Sequence, residues 1–521
     1  MFTKKFHILF SVSNVIIMNG IGKIKDYRYG IEKAILYLEK TQNHDGSWSG
    51  PLSSRLFESS IVFLVLSSSN KMQKNDPSIK KLYKFIQGSN PADYHDVAKI
   101  WEKALKHAAM KQGGGVNLMK EILFDPIYFR KTLIVYTLLR VSGVRVTVPD
   151  HPNFTLSRLR NYLDGRPNIK EWSFVDMMIC YILLCFLEKK TVAPEMVTLL
   201  KEKQLSNGSW FHNPITSSIA GLALYLNGEE ASFLKALNYL KSIQQKDGGI
   251  SYCEIPIWDT ALNLLGLPKN FRNSFVASAV QYLLKARNND GGWGFYPALE
   301  SENDTTAIVT QALRYHDLPD YLNGTISYFC GNQMPNGLWP VWRSSETPSV
   351  EVVAHIITAL NSWPNLQLDL SSAKSWLVHS LQTNGLWSAE WSINIPYSVF
   401  AVLESLTDQA ADYEAVITKM LALQNLDGGF SLNFNRAASC PSATANAILA
   451  LGLYGHRYRD QILSGVNYLA QNINSEGTWH SVKEVLGPRP LLYSIQASTH
   501  AFCLRALTFA EKFFESYEDK T

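Results

Sequence analysis

The 521-residue chain has six cysteines, spread singly from Cys180 to Cys503 with no Cys-x-x-Cys pair. That excludes a disulfide framework and a zinc ribbon, and makes a reducing, cytoplasmic setting the expectation. Charge is scarce and nearly balanced: 18% of residues are charged, 49 basic against 45 acidic, for a net charge of +4. A disordered polyelectrolyte and a basic nucleic-acid binder are both excluded. No uninterrupted apolar run reaches the roughly 20 residues that span a bilayer, which leaves peripheral contact as the expected limit of membrane association. Phe6 to Met18 follows Lys4 and Lys5 like the core of a signal peptide. However, His7, Ser11, Ser13 and Asn14 interrupt it and no small-residue cleavage site follows, so residues 1–18 are set apart as an N-terminal extension.

Aromatic side chains are abundant: Trp, Tyr and Phe make up 12% of the chain, enough to pack a core or to line an apolar cavity with π faces. They take part in a repeat. Gln, a few polar residues, Gly, one further residue and an aromatic recur at Gln42–Trp48, Gln204–Trp210, Gln333–Trp339, Gln382–Trp387 and Gln471–Trp479. Three variants accompany them: Gln245–Ile250 ends in an aliphatic residue, Asn288–Trp293 lacks the Gln, and Gln424–Phe430 ends in Phe. From Gly208 to Gly477 the motif glycines stand 40, 43, 46, 48, 43 and 49 residues apart, a period that fits one helical hairpin per unit. The Gly supplies a turn at positive φ, the Gln can bond exposed backbone groups, and the aromatic can cover the end of the next helix.

Between the loops lie Ala- and Leu-rich segments of helical spacing, such as Ala307–Leu313, Val352–Leu360 and Ala443–Leu451. The fold class is therefore all-α, with two α/α-barrel domains of helical hairpins, one inserted into the other. The first motif precedes the second by 162 residues, which places the inserted domain at 55–268. The other barrel then comprises 19–54 and 269–521.

The Gln-to-Trp repeat resembles that of the terpene cyclase superfamily of squalene-hopene cyclases and class II diterpene cyclases, from about Gln42 to the C-terminus. Pro256-Ile257-Trp258-Asp259-Thr260-Ala261 is similar to the hopene cyclases' P-V-W-D-T, and Gly291-Gly292-Trp293-Gly294-Phe295 to their G-G-F-x-F. Glu302-Asn303-Asp304-Thr305-Thr306-Ala307 resembles the catalytic D-x-D-D-T-A, and more closely the D-x-D-T-T variant of bacterial diphosphate-substrate cyclases, with Glu in place of the first Asp. The resemblance implies that Asp304 is a general acid that protonates an alkene, and that Glu302 and Thr305 assist it. A carboxylic acid of ordinary pKa about 4 must be strengthened for that task. The helix expected to open at Thr305 offers free N–H groups and a favourable dipole to the carboxylate left behind, and Thr305 and Thr306 can add hydroxyl donors. Glu302 could hold Asp304 by sharing a proton, so that the two titrate together.

Cationic intermediates need a dry cavity walled by aromatic faces, each contributing roughly 0.5–2 kcal/mol. Trp258, Asp259 and Phe295, with Trp391 and Tyr397 of Glu390-Trp391-Ser392-Ile393-Asn394-Ile395-Pro396-Tyr397, are the substrate-contact residues the resemblance implies. Asn207–Ser218 is similar to a diterpene-cyclase segment. Together with the Thr305-Thr306 ending, it implies a prenyl diphosphate substrate, foremost geranylgeranyl diphosphate, cyclised to a bicyclic labdane-, halimane- or clerodane-type product with the diphosphate retained. Magnesium would accompany the diphosphate, and no metal ligand is assigned. The chain has no Asp-Asp pair, so metal-driven removal of diphosphate is unsupported. A monomer or homodimer is expected, with a class I synthase or a phosphatase acting on the product. Three alternatives stay open: farnesyl diphosphate as substrate with a drimenyl-type product, squalene-type cyclisation, and a non-catalytic helical-repeat binding protein.

Overall fold

The computed structural model describes residues 27–518 apart from 70–75, 93, 112–115, 118–125, 148–154, 166–168, 270, 319–321, 323, 343–346, 362, 364–365, 367, 408–412 and 488. The N-terminal extension at 1–18 lies outside the described residues. The fold is all-α: helices carry nearly all the regular structure, with three short two-stranded ribbons. Among the described residues, no helix is long and apolar enough to cross a membrane.

Six helices close a ring: Pro256–Gly266, Asn303–Tyr315, Val350–Leu360, Ile395–Ser405, Pro441–Gly452 and Gln496–Glu518, each packed on the next and the last on the first. The 350–360 and 441–452 helices are buried on nearly every side, as their Ala-, Val- and Leu-rich sequences require. Around the ring lie amphipathic partners, among them Tyr27–Thr41, Ser274–Lys285 and Arg459–Asn472. Proline pre-sets the first turn at Pro256, Pro396 and Pro441, where its missing N–H costs no helical bond.

The second unit is smaller, with the helices Leu56–Ser68, Pro126–Val141, Glu171–Leu187 and Pro214–Leu226 at its centre. Its buried cluster runs from Leu52 to Ile250 and takes in Leu491, Tyr493 and Ile495 from the C-terminal part of the chain. The larger cluster holds Ile31–Trp48 and resumes at Ile257. The chain thus leaves the inserted unit between Ile250 and Ile257, earlier than the expected 268. The reason is that the 256–266 helix closes the six-helix ring by packing on 303–315 and 496–518.

The repeat motifs join neighbouring hairpins. The indole N–H groups of Trp48, Trp210, Trp293, Trp339, Trp387 and Trp479 each donate to the carbonyl ten residues earlier, at 2.6–2.8 Å. The aromatic thus bonds the C-terminus of the preceding helix and also covers the start of the next outer one, as Trp48 does on Phe275 and Trp387 on Tyr413. The Gln reaches forward: Gln204 Nε2 donates to the Gly208 carbonyl at 3.0 Å and to that of Ser232, at the start of the next outer helix, at 2.8 Å. In the Gln245–Ile250 variant this role belongs to Gln244, bonded to the Gly248 and Ser78 carbonyls, and not to Gln245. Where the Gln is missing, Arg287 Nε reaches the Gly291 carbonyl at 3.3 Å. Gly208 has φ +91°, and a Cβ there would lie 2.2 Å from the Lys235 carbonyl oxygen, so only glycine permits this approach.

Candidate active site

A cavity of about 550 Å³ lies between the two units. Its walls include Phe129, Trp172 and Tyr252 from the inserted unit and Trp258, Trp342, Trp391 and Phe502 from the ring. Of the residues expected from sequence, Glu302, Asp304, Thr305, Trp258, Phe295, Trp391 and Tyr397 all line it. Asp259 does not. It is fully buried behind the wall, where its Oδ1 accepts from Ser498 Oγ at 2.9 Å, and burial drives its carboxyl well above the usual range.

Asp304 sits in the first turn of the 303–315 helix, which begins two residues earlier than expected because Glu302 already has the extended backbone of an N-cap. The helix dipole thus favours an anion at this carboxyl. Asp304 Oδ1 is 2.7 Å from His355 Nδ1 on the adjacent ring helix, and the two side chains are only 15% and 8% exposed. His355 Nε2 is 3.3 Å from the Tyr397 hydroxyl. Burial first, then the nearby Asp304, Glu351 and Glu484 carboxyls, push the Tyr397 phenol well above its ordinary value, so it stays a donor. A hydroxyl donated to Nε2 leaves the imidazole hydrogen on Nδ1, aimed at Asp304. One carboxyl oxygen of Asp304 is then held by an N–H.

Glu302 does not share a proton with Asp304. Its Oε2 pairs with Lys170 Nζ at 3.0 Å, and its Oε1 accepts from Thr305 Oγ1 at 2.5 Å. Thr306 Oγ1 is likewise occupied, accepting from the Trp293 N–H at 2.9 Å. The hydroxyl donors expected for Asp304 are thus spent on Glu302 and the repeat loop, and His355 takes their place. Lys170 comes from the inserted unit, and its ammonium lies 4.4, 5.0 and 5.9 Å from the ring centres of Trp342, Trp172 and Phe295. Its ion pair with Glu302 ties the acid motif to the neighbouring unit.

The cavity wall also carries Arg130, Lys131 and Arg489. Arg130 pairs with buried Asp176, and Arg489 lies 3.0 Å from Glu390 and over the Trp391 ring at 4.6 Å. Lys131 is 8% exposed and donates to the Arg489 carbonyl. Burial, then Arg130 and Arg489, hold its ammonium well below the ordinary lysine value. These basic residues carry no motif, and neither did His355, whose only sequence signal is a lone imidazole within the apolar Val352–Leu360 segment.

Residues 344–512 match the model of the squalene-hopene cyclase C-terminal domain, and 194–338 match that of the prenyltransferase alpha-alpha toroid domain, together more than half of the chain. A drimenyl diphosphate synthase of Streptomyces showdoensis is 27% identical over 58% of this chain, which spans 60% of that protein. Another, from Streptantibioticus cattleyicolor, is 24% identical over 89% of this chain and 91% of its own length. Among solved structures, ent-copalyl diphosphate synthase from Streptomyces platensis shares the fold, with a TM-score of 0.53 at 17% identity, covering 94% of this chain and 95% of that one.

Proposed function

Because the chain belongs to the squalene-hopene cyclase superfamily of class II terpene cyclases, we propose that it protonates a linear prenyl diphosphate and cyclises it with the diphosphate retained. The observation that carries this reading is the Asp304 carboxyl, 2.7 Å from His355 and lining a cavity walled by aromatic side chains. The Asp304 proton passes to a carbon–carbon double bond. The carboxylate that remains gains a full charge-assisted hydrogen bond from His355 Nδ1–H and the field of its helix, both absent from bulk water. The π face of Trp258 then offers the carbocation negative potential without a nucleophile, while Trp342, Phe295 and Trp391 each also carry Lys170 or Arg489 over the ring.

The basic wall supports an ionised substrate over a hydrocarbon. Lys131 is held as a poor ammonium by burial and like charge, and an anion placed beside it relieves both penalties. The expected magnesium would arrive with the diphosphate, an arrangement that asks for only one or two protein carboxylates. Near the basic wall, Asp176 and Glu390 are paired with Arg130 and Arg489. The basic side chains would share the neutralisation of the diphosphate with that ion. End-to-end similarity to a drimenyl diphosphate synthase favours the farnesyl alternative over geranylgeranyl diphosphate.

The test is incubation of the purified chain with farnesyl diphosphate, geranylgeranyl diphosphate and squalene separately, followed by dephosphorylation and identification of the products. Cyclic alcohols are expected from a diphosphate, and none from Asp304→Asn, which keeps the shape and removes the proton. Undiminished turnover by that variant would refute the acid assignment.

A further inference from the structure

A cyclisation begun by a proton must also end, and the last carbocation is quenched by loss of a proton or by capture of water. Three carboxyl groups are sealed in the ring unit without a part in the acid site: Asp259, Glu351 and Glu484. Asp259 is turned to Ser498 behind the wall. Glu351 Oε1 accepts from the backbone N–H groups of Glu390 and Trp391, both at 2.7 Å, and serves to hold that loop. Only Glu484 faces the cavity. Of the three carboxyl groups that line it, Asp304 is committed as donor and Glu302 to Lys170 and Thr305, so Glu484 is left uncommitted.

Glu484 is held in place from two sides. Its backbone N–H donates to the Tyr493 carbonyl at 3.1 Å, beside the Val485–Leu486 ribbon, and its Oε2 accepts from Asn394 Nδ2 at 2.7 Å. Asn394 also caps the 395–405 helix through the Tyr397 N–H, so the carboxyl stands at the opening of the helix that carries Tyr397. It is 4% exposed, and water has little access to compete for a cation beside it.

Resting on the cyclase reading above, we propose that Glu484 is the base that ends the reaction. The C–H bond beside the last cationic carbon breaks, its electron pair closes the new double bond, and the proton passes to the Glu484 carboxylate. The product leaves as a cyclic alkene diphosphate. Asp304 is then ionised and Glu484 protonated, and exchange with solvent restores both. Burial, which outweighs the Asn394 and Ser442 hydrogen bonds, raises this carboxyl to about 7, in the direction that makes a stronger proton acceptor.

The experiment compares the full-length wild type with Glu484→Gln and Glu484→Asp on farnesyl and geranylgeranyl diphosphate, with product distributions read at equal conversion after dephosphorylation. Glu484→Gln is expected to consume substrate more slowly but measurably, since a positioned base contributes about 10²–10⁴-fold and water can take over the last step. The wild-type alkene should fall at least tenfold, replaced by water-captured alcohols or isomeric alkenes. Glu484→Asp, which keeps a carboxylate, should restore the wild-type alkene as the main product. An unchanged product from the Gln variant overturns the inference. So do a folded Gln variant with no turnover at all, and an Asp variant as altered as Gln, which would assign the change to a disturbed cavity. A wild type that converts neither diphosphate overturns the parent reading and this one together. A wild type that converts one, with the Gln product unaltered, overturns this one alone.

Discussion

His355 Nδ1 and Asp304 Oδ1, from two adjacent helices of the ring, stand 2.7 Å apart, and this contact makes the acid a property of the closed barrel and not of its local motif. His355→Phe keeps the volume and aromaticity of the site while deleting the N–H that stabilises the ionised Asp304. A fall in kcat of about 10²–10⁴ is expected, with KM little changed. Steady-state kinetics beside circular dichroism would decide, and a variant as fast as the wild type would leave the helix dipole as the only device that strengthens the acid.

The repeat loops are expected to act on stability alone. In Gly208→Ala the new Cβ meets the Lys235 carbonyl oxygen at 2.2 Å, in a backbone conformation at φ +91° that L-residues resist. A loss of about 2 kcal/mol or more is expected. The thermal midpoint should drop while the product distribution of the surviving protein stays that of the wild type, because Gly208 lies off the cavity.

How much of this was legible before the structure follows from the range of each interaction. The Gln-to-Trp loops are bonded over four and ten residues, so their role is written locally. Asp304 and the lining residues Trp258, Phe295, Trp391 and Tyr397 were legible because their segments carry a recognisable pattern, whereas Trp172, Trp342 and Phe502 lie in none. His355, Lys170, Lys131 and Glu484 were not, since each gains its meaning from a partner on another element: Lys170 and Glu302 are 132 positions apart, Lys131 and Arg489 are 358 apart. Asp259 misled for the complementary reason. The residue after a cavity tryptophan is turned about 100° around the helix, and here that direction meets Ser498.

Glu58 gives the inserted unit a pH signature. Its Oε1 accepts from the Tyr493 hydroxyl at 2.5 Å across the junction with the C-terminal segment, and burial lifts its carboxyl from 4.5 to about 7 despite Arg55 nearby. The folded state therefore binds more protons than the unfolded one between those values, and this contribution to stability falls as pH rises through that window. The slope is at most about 1.4 kcal/mol per pH unit for one group. In Glu58→Gln the titrating group is gone. The difference in thermal midpoint, wild type minus variant, is expected to decline from pH 5 to pH 7.5, and a difference that is flat across the window would show the carboxyl to be ionised throughout.

Lys131 separates binding from stability. In the free protein its ammonium is sealed beside Arg130 and Arg489, with a backbone carbonyl as hydrogen-bond partner. Replacement by a flexible apolar chain removes that desolvation and repulsion at the expense of one hydrogen bond. Lys131→Met is accordingly expected to melt at or above the wild-type temperature. The same change removes a cation from the wall proposed to receive the diphosphate. Affinity for inorganic pyrophosphate, measured by inhibition or calorimetry, should then fall about tenfold, close to 1.4 kcal/mol, and KM for the prenyl diphosphate should rise in proportion while kcat holds. A variant that melts lower and binds pyrophosphate as well as before would make Lys131 a structural strut and move the anion site elsewhere on the wall.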